Sequence, residues 1–279
     1  MTHYVAAYDT ESPDCLEGVR RIVQVHEQYE MPATFFMVSN LLDKQGADYT
    51  ALLKNHPLFE IASHTCSHMP IADVPRFCKA GPLERFEDEI AGSKRRLEDH
   101  FECSVTGFRT PVGTCDGLGD CPEGLRWIHA AGYQYVSSVA WGPDCSLPAP
   151  LRQPFSFAAQ GYPGLYEFPA CGWHENLLKG HNRMGPVLLC MFPSCMPEAI
   201  PPGYVESPEE EFRYNNKPCL DRAGQDGMPL ITLVWHPWSL RRMDPEMHML
   251  DLTFRYVREN GYDAVTFGRF AAKWAAQAQ

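Results

Sequence analysis

Short apolar runs alternate with longer amphipathic stretches along the chain, a rhythm that predicts repeated strand–helix units. The first run, Tyr4 to Tyr8, ends on Asp9-Thr10-Glu11. A helix is predicted from about Asp14 to Tyr29, where Leu16, Val19, Val23 and His26 recur at near-helical spacing. Thr34-Phe35-Phe36-Met37-Val38 has the β-branched and aromatic character of a buried strand. Leu58 to Ser63 reads as the next strand and delivers His64 at its C-terminal end. Between Leu83 and His100, apolar Leu83, Phe86, Ile90 and Leu97 form one stripe on a charged background, as expected of a surface helix.

A short strand is expected to end near Arg109, followed by a helix over Gly124 to Ala130 and strands at Tyr133 to Ser137 and Leu165 to Phe168. Ile231-Thr232-Leu233-Val234-Trp235 is the strongest late strand and runs into His236-Pro237. A helix from about Pro245 to Glu259, a strand over Asp263 to Thr266 and a terminal helix from Phe270 complete a pattern of about seven or eight strands. The stretch from about Gly172 to Pro229 breaks the rhythm: it is rich in Pro, Gly and Cys and carries the acidic run Glu209-Glu210-Glu211. It is expected to be an insertion packed over one mouth of a barrel, within a single domain spanning 1–279.

Composition narrows the function. With 24 basic and 35 acidic residues the net charge is −11, and no Lys/Arg run interrupts it, which disfavours a nucleic-acid partner. The opening MTHYVAAYDT has neither a basic n-region nor a long apolar h-region, and no long apolar run follows. A cytoplasmic location is therefore expected, with no membrane partner. The 11 cysteines form no CxxC pair and read as free thiols in a reducing compartment; a zinc site from Cys103, Cys115 and Cys121 is disfavoured.

Two candidate sites carry chemistry. His64 and His68 stand four residues apart, so on a helical turn both imidazoles could share one divalent ion; the spacing alone fits two surface histidines equally well. Asp9, Arg109 and His236 each sit at the end of a predicted strand, with Glu11 two residues past Asp9. In a β/α barrel such ends converge on one face, where catalytic groups collect. Asp9 taken alone could instead cap a helix.

The ordered set resembles the polysaccharide deacetylase (NodB-homology) family. Asp9-Thr10-Glu11 is similar to its acidic first motif, and Ser63-His64-Thr65-Cys66-Ser67-His68 to its metal-binding histidine motif. Phe108-Arg109-Thr110-Pro111-Val112-Gly113 is similar to its arginine-proline-glycine motif, and Val234-Trp235-His236-Pro237 to its final histidine motif. Pro32-Ala33-Thr34-Phe35-Phe36 and Gly261-Tyr262-Asp263-Ala264-Val265-Thr266 match its second and closing strands. The resemblance implies an α/β fold, a distorted (β/α)7 TIM-like barrel, and hydrolysis of an amide C–N bond with one divalent metal ion, usually zinc. Carried over residue by residue, it makes His64, His68 and Glu11 metal ligands and Asp9 the general base. Arg109 would orient that base, and His236 would assist the leaving amine. The reverse roles of Asp9 and Glu11, or Glu11 turned outward, stay open.

Two departures stand out. The acidic residues are separated by Thr10 instead of adjacent, and the segment Val136-Ser137-Ser138-Val139-Ala140-Trp141 lacks the aspartate that usually tunes the arginine, unless Asp144 replaces it. Trp141 and His174 are candidate substrate-binding residues, whereas Glu167 and Glu175 read better as loop or surface groups. Three functions follow: a deacetylase of N-acetylated sugars; a hydrolase of a small amide, ureide or formylated sugar; and a catalytically impaired carbohydrate-binding pseudoenzyme. Related soluble enzymes assemble as dimers or tetramers, which leaves a homo-oligomer open.

Overall fold

The structure is a computed structural model that describes residues 1–75, 77–146, 149–173, 178, 196–199, 202–203 and 205–277. Strand β1 (His3–Thr10) lies deep within one sheet of order β6-β7-β5-β4-β3-β2-β1-β9-β8. Its other members are β2 (Ala33–Met37), β3 (Phe59–Ser63), β4 (Gly107–Thr114), β5 (Tyr135–Val139), β6 (Phe155–Phe157), β7 (Tyr162–Glu167), β8 (Gly172–Trp173) and β9 (Leu230–Trp235). A short β10 (Asp263–Ala264) pairs with the start of β1. Every pairing is parallel except the β6–β7 hairpin. β6 and β8, two or three residues each, are too short to give a periodic signal and were not expected from the sequence.

The sheet curls towards closure. After β7 the chain donates Phe168 N to Val136 O and Ala170 N to Val139 O, both on β5, and then Cys171 N to Thr232 O on β9. One segment thus crosses from one side of the sheet to the other.

The period of two along each strand separates two cores. On β1, Tyr4, Ala6 and Tyr8 face the large cluster shared with the helices. Val5 and Ala7 instead join Phe36, Ala62, Tyr135, Phe168, Leu230 and Phe267 in a smaller inner cluster. The same alternation places Phe108, Val136, Ile231, Leu233 and Trp235 on the helix side. Positions of inner parity are therefore Asp9, His64, Arg109, Ser137 and His236. Register supports this, because β1 pairs with β9 up to Tyr8↔Trp235, so the following residues Asp9 and His236 stand level. β4 does not end near Arg109 as expected but runs on through a register shift to Thr114, with Arg109 level with Ser137.

Helices pack on the outer face: α1 (Cys15–Tyr29), α2 (Leu42–Leu53), α3 (Ser93–Phe101), α4 (Pro122–Ala130), α5 (Lys217–Gln225), α6 (Pro237–Met243) and α7 (His248–Glu259), whereas α8 (Phe267–Gln277) sends Phe267, Phe270 and Ala271 into the inner cluster. None of the described helices is long and apolar enough to cross a membrane. α1 lies so close to the start of α6 that a Cβ on Gly18 would sit 2.2 Å from the Pro237 carbonyl oxygen. Glycine is what permits that approach, directly behind His236.

Two helix expectations need revision. The helix expected over 83–100 is composite: a 3-10 turn at Leu83–Arg85, a π-helical turn at Asp88–Gly92, then α3. Leu83, 59% exposed, does not belong to its buried stripe. The helix expected over 245–259 begins only at His248, where the Asp244 carboxylate accepts from the His248 and Met249 amides; the shorter α6 follows His236 directly. Much of the stretch 172–229 lies outside the described residues, but within it α5 buries Cys219, Leu220 and Ala223 in the main core.

Candidate metal centre and active site

The acidic first motif follows directly from β1. Glu11, two residues past Asp9, turns its carboxylate to the histidines, with Oε2 at 3.0 Å from His68 Nε2 and 4.0 Å from His64 Nε2. The donor atoms of Glu11, His64 and His68 lie within 4.8 Å of one another, the only such cluster of three or more among the described residues. A neutral histidine carries one ring N–H, and the Arg109 carbonyl 2.9 Å from His64 Nδ1 can only accept, so that proton is on Nδ1. Nε2 is left with its lone pair towards Glu11, as a ligand histidine requires. Burial lowers the His64 pKa to about 4, so the ring is neutral near pH 7. Burial opposes the Glu11 carboxylate, yet the charge of His236 and the hydrogen bond and charge of His68 hold its pKa below the usual range.

The histidine pair is not presented on a helix, contrary to the expected helical turn. Residues 64–68 form an irregular loop in which Thr65 (φ 65°) and His68 (φ 63°) both adopt left-handed backbone. That conformation is unfavourable for a β-branched residue and persists where surroundings over-determine it. Here they do. The buried Glu89, carried on the π-helical turn, accepts from Ser67 N (2.9 Å) and Ser67 Oγ (2.6 Å). Cys66 donates its thiol to the Asp88 carbonyl on the same turn, so it is spent on the loop and not on the metal donors.

Asp9 and Arg109 form a buried pair beside this cluster, with Nη1 2.7 Å from Asp9 Oδ1. Arg109 Nη2 donates to Ser137 Oγ at 3.0 Å, and the guanidinium stacks over Phe36 at 4.1 Å. Ser137 thus stands beside the arginine in the segment that lacks the usual aspartate. Its inner parity on β5, next to the outer-facing Val136, is the signal for it in the sequence. His236 Nε2 lies 3.9 Å from both Asp9 Oδ2 and Glu11 Oε2.

These groups floor a pocket of about 290 Å³ whose upper lining includes Phe77, Val112, Val139, Trp141, Ala170 and Trp238. Trp141, expected at the substrate site, lines the cavity and belongs to the packed interior as well: it is 1% exposed and stacks on Phe77 at 4.7 Å. Its indole N–H donates to the carbonyl of Val112, which also has a left-handed backbone (φ 71°). Trp238 donates to Glu11 Oε1 at 2.8 Å, an interaction with no sequence signal. Glu167, expected at the surface, is fully buried and outside the pocket lining. Its Oε1 accepts from Ser138 N and Val139 N, and its Oε2 lies 2.6 Å from Ser138 Oγ, which closes off the end of β5. Burial raises its pKa to about 7. His174 and Glu175 lie outside the described residues. The nine cysteines among the described residues are free.

Residues 7–135, from β1 through the histidine loop and Arg109 to the start of β5, match the family model for polysaccharide deacetylase. That matched stretch is similar to the polysaccharide deacetylase family. Solved structures share the fold over nearly the whole chain. A protein assigned as a polysaccharide deacetylase from Mycobacterium smegmatis superposes with a TM-score of 0.68 at 16% identity, covering 99% of this chain and 92% of that one. A similarly assigned protein from Pseudomonas aeruginosa PAO1 gives 0.66 at 14% identity, with 98% and 90% covered. An allantoinase gives 0.65 at 12% identity, with 99% and 90% covered. No curated protein sequence matches the chain. The acidic first motif, the histidine loop and Arg109 all fall inside the matched region, while His236 and α6 lie beyond it.

Proposed function

We propose that this chain is a metal-dependent hydrolase of non-peptide C–N amide bonds, with Glu11, His64 and His68 as ligands of one divalent ion. Two imidazoles and one carboxylate suit zinc and leave a coordination position open. Bound there, the ion would lower the pKa of a water and hold charge that builds on the substrate carbonyl oxygen.

The remaining steps belong to the chain's own side chains. Asp9 is the general base: Arg109 fixes Oδ1, leaving Oδ2 to take a proton from the attacking water. His236, whose Nε2 faces Asp9 Oδ2 at 3.9 Å, delivers a proton to the departing nitrogen. Ser137 keeps the arginine aligned with its second nitrogen. The observation that carries the proposal is one juxtaposition: three ligand atoms within 4.8 Å, flanked by an arginine-held aspartate and a histidine on level strand ends. The pair of motif departures does not weaken it, since Glu11 reaches the histidines across Thr10 and Ser137 engages the arginine.

Elemental analysis of chelator-free protein tests the proposal first. About one divalent ion per chain is expected, together with amide hydrolysis that a chelator abolishes and zinc restores. Absence of metal after titration would instead favour a binding protein on the same fold.

A further inference from the structure

The chemistry of the pocket walls narrows the substrate. Nearly every polar side chain among the described lining residues is already committed. Glu11, His64 and His68 form the donor cluster, Asp9, Arg109 and Ser137 form the base assembly, and His236 faces both carboxylates. The remaining polar side chain of that lining, Thr110, donates its hydroxyl to the Pro111 carbonyl. What is left of the described lining is apolar and includes Phe77, Val112, Val139, Trp141, Ala170 and Val234. The Phe77 and Trp141 rings stack with their planes 23° apart, and the Trp141 and Trp238 N–H groups are spent on Val112 O and Glu11 Oε1.

Resting on the hydrolase reading above, we infer that this site takes a small amide whose non-reacting part is a planar apolar ring, in preference to an N-acetylated sugar. A sugar ring entering such walls would strand several hydroxyls without partners, each at a cost of about 1–3 kcal/mol. An aromatic ring loses no hydrogen bonds there and gains contact with the Phe77 and Trp141 wall. The volume of about 290 Å³ is at the lower end for small-ligand pockets, which suits one ring and not an extended glycan. The reaction balances without a redox partner. Water oxygen bonds to the carbonyl carbon, the C–N bond breaks, and the water hydrogens pass to the acid and the amine.

The test compares zinc-loaded protein acting on p-nitroacetanilide and benzamide with its action on N-acetylglucosamine and di-N-acetylchitobiose. The better aryl amide should exceed both sugars in kcat/KM by about 10- to 100-fold. Phe77→Ala, a half-exposed position outside the donor cluster, should erode that preference about tenfold through KM while metal content stays unchanged. Sugars hydrolysed as well as or better than the aryl amides would overturn the inference and leave the hydrolase reading intact. If no amide turns over, the hydrolase reading fails, and calorimetric titration decides the pocket assignment separately. Binding of benzamide without N-acetylglucosamine upholds it; preference for the sugar, or binding of neither, overturns it.

Discussion

The Asp9–Arg109 pair is the sharpest test of the active-site geometry. Arg109→Met keeps an unbranched aliphatic side chain but removes the guanidinium, and with it the contact over Phe36. Asp9 is then left as a carboxylate whose side chain is only 8% exposed, with its 2.7 Å partner gone, and Ser137 Oγ loses the Nη2 donor. Breaking a buried ion pair from one side costs about 3–5 kcal/mol, because the uncompensated charge stays behind. The Arg109 ring contact at 4.1 Å adds about 1 kcal/mol. Asp9→Asn in the same background neutralises the stranded group, so the double variant should regain most of the loss and sit within about 2 kcal/mol of wild type. Urea unfolding of wild type, both single variants and the double variant, at pH 7 and constant zinc, gives the cycle. A loss under about 1 kcal/mol for Arg109→Met, or no rescue by Asp9→Asn, would refute the claim that Arg109 holds the base in place.

Three further outcomes are expected. His68→Ala should remove the bound metal while near-native far-UV circular dichroism is retained, since the side chain is 35% exposed on a loop; full metal stoichiometry in the variant would remove His68 from the ligand set. His236→Ala should lower turnover by about 10²- to 10⁴-fold with metal retained, read by steady-state kinetics beside elemental analysis; unchanged turnover would assign the acid role elsewhere. Glu167→Gln should match wild type in stability below about pH 4.5, where both side chains are uncharged, because an amide oxygen can still accept from the Ser138 and Val139 N–H groups that Glu167 Oε1 accepts from. The raised pKa of about 7 means the folded state binds the proton more tightly than the unfolded chain does. The stabilisation from Glu167 is therefore complete below the ordinary value of 4.5 and is lost as pH rises to 7, by about 3 kcal/mol. Glu167→Gln should gain on wild type in urea midpoint over that window, whereas a gap independent of pH would contradict the assignment.

His26 sets the opposite slope in the same region, which is why the variant and not the raw profile is informative. It is fully buried, with Nδ1 2.6 Å from the Met31 carbonyl and Nε2 2.6 Å from the Tyr8 hydroxyl. The carbonyl can only accept, so Nδ1 carries the proton and the tyrosine donates to Nε2. Burial lowers the His26 pKa to about 4, so its contribution is present above 6.5 and is lost as pH falls from there to 4. Between 4.5 and 6.5 this loss on acidification offsets the gain from Glu167.

What could be read in the sequence was whatever repeats with the period of a strand or marks its end. Asp9 and His236 are legible because each closes an apolar run, and the parallel sheet brings those ends level; Arg109 lies early in β4 and reaches them across the inner face. The rest depends on contacts between distant segments. Helical spacing suggested a turn for His64 and His68, but the loop is fixed by Glu89, more than twenty residues away in a π-helical turn that no periodicity announces. Thr65 and Val112 are β-branched residues in left-handed backbone, where local preference argues against what the fold imposes. Each such position costs about 1–3 kcal/mol and must be held by its surroundings. The Val112 carbonyl is held by the Trp141 indole, and the Thr65 carbonyl accepts from both Ser39 N and Ser93 Oγ. Local propensity therefore fails at these two β-branched positions, one in the histidine loop and one in the pocket wall, because contacts from distant segments set the backbone there.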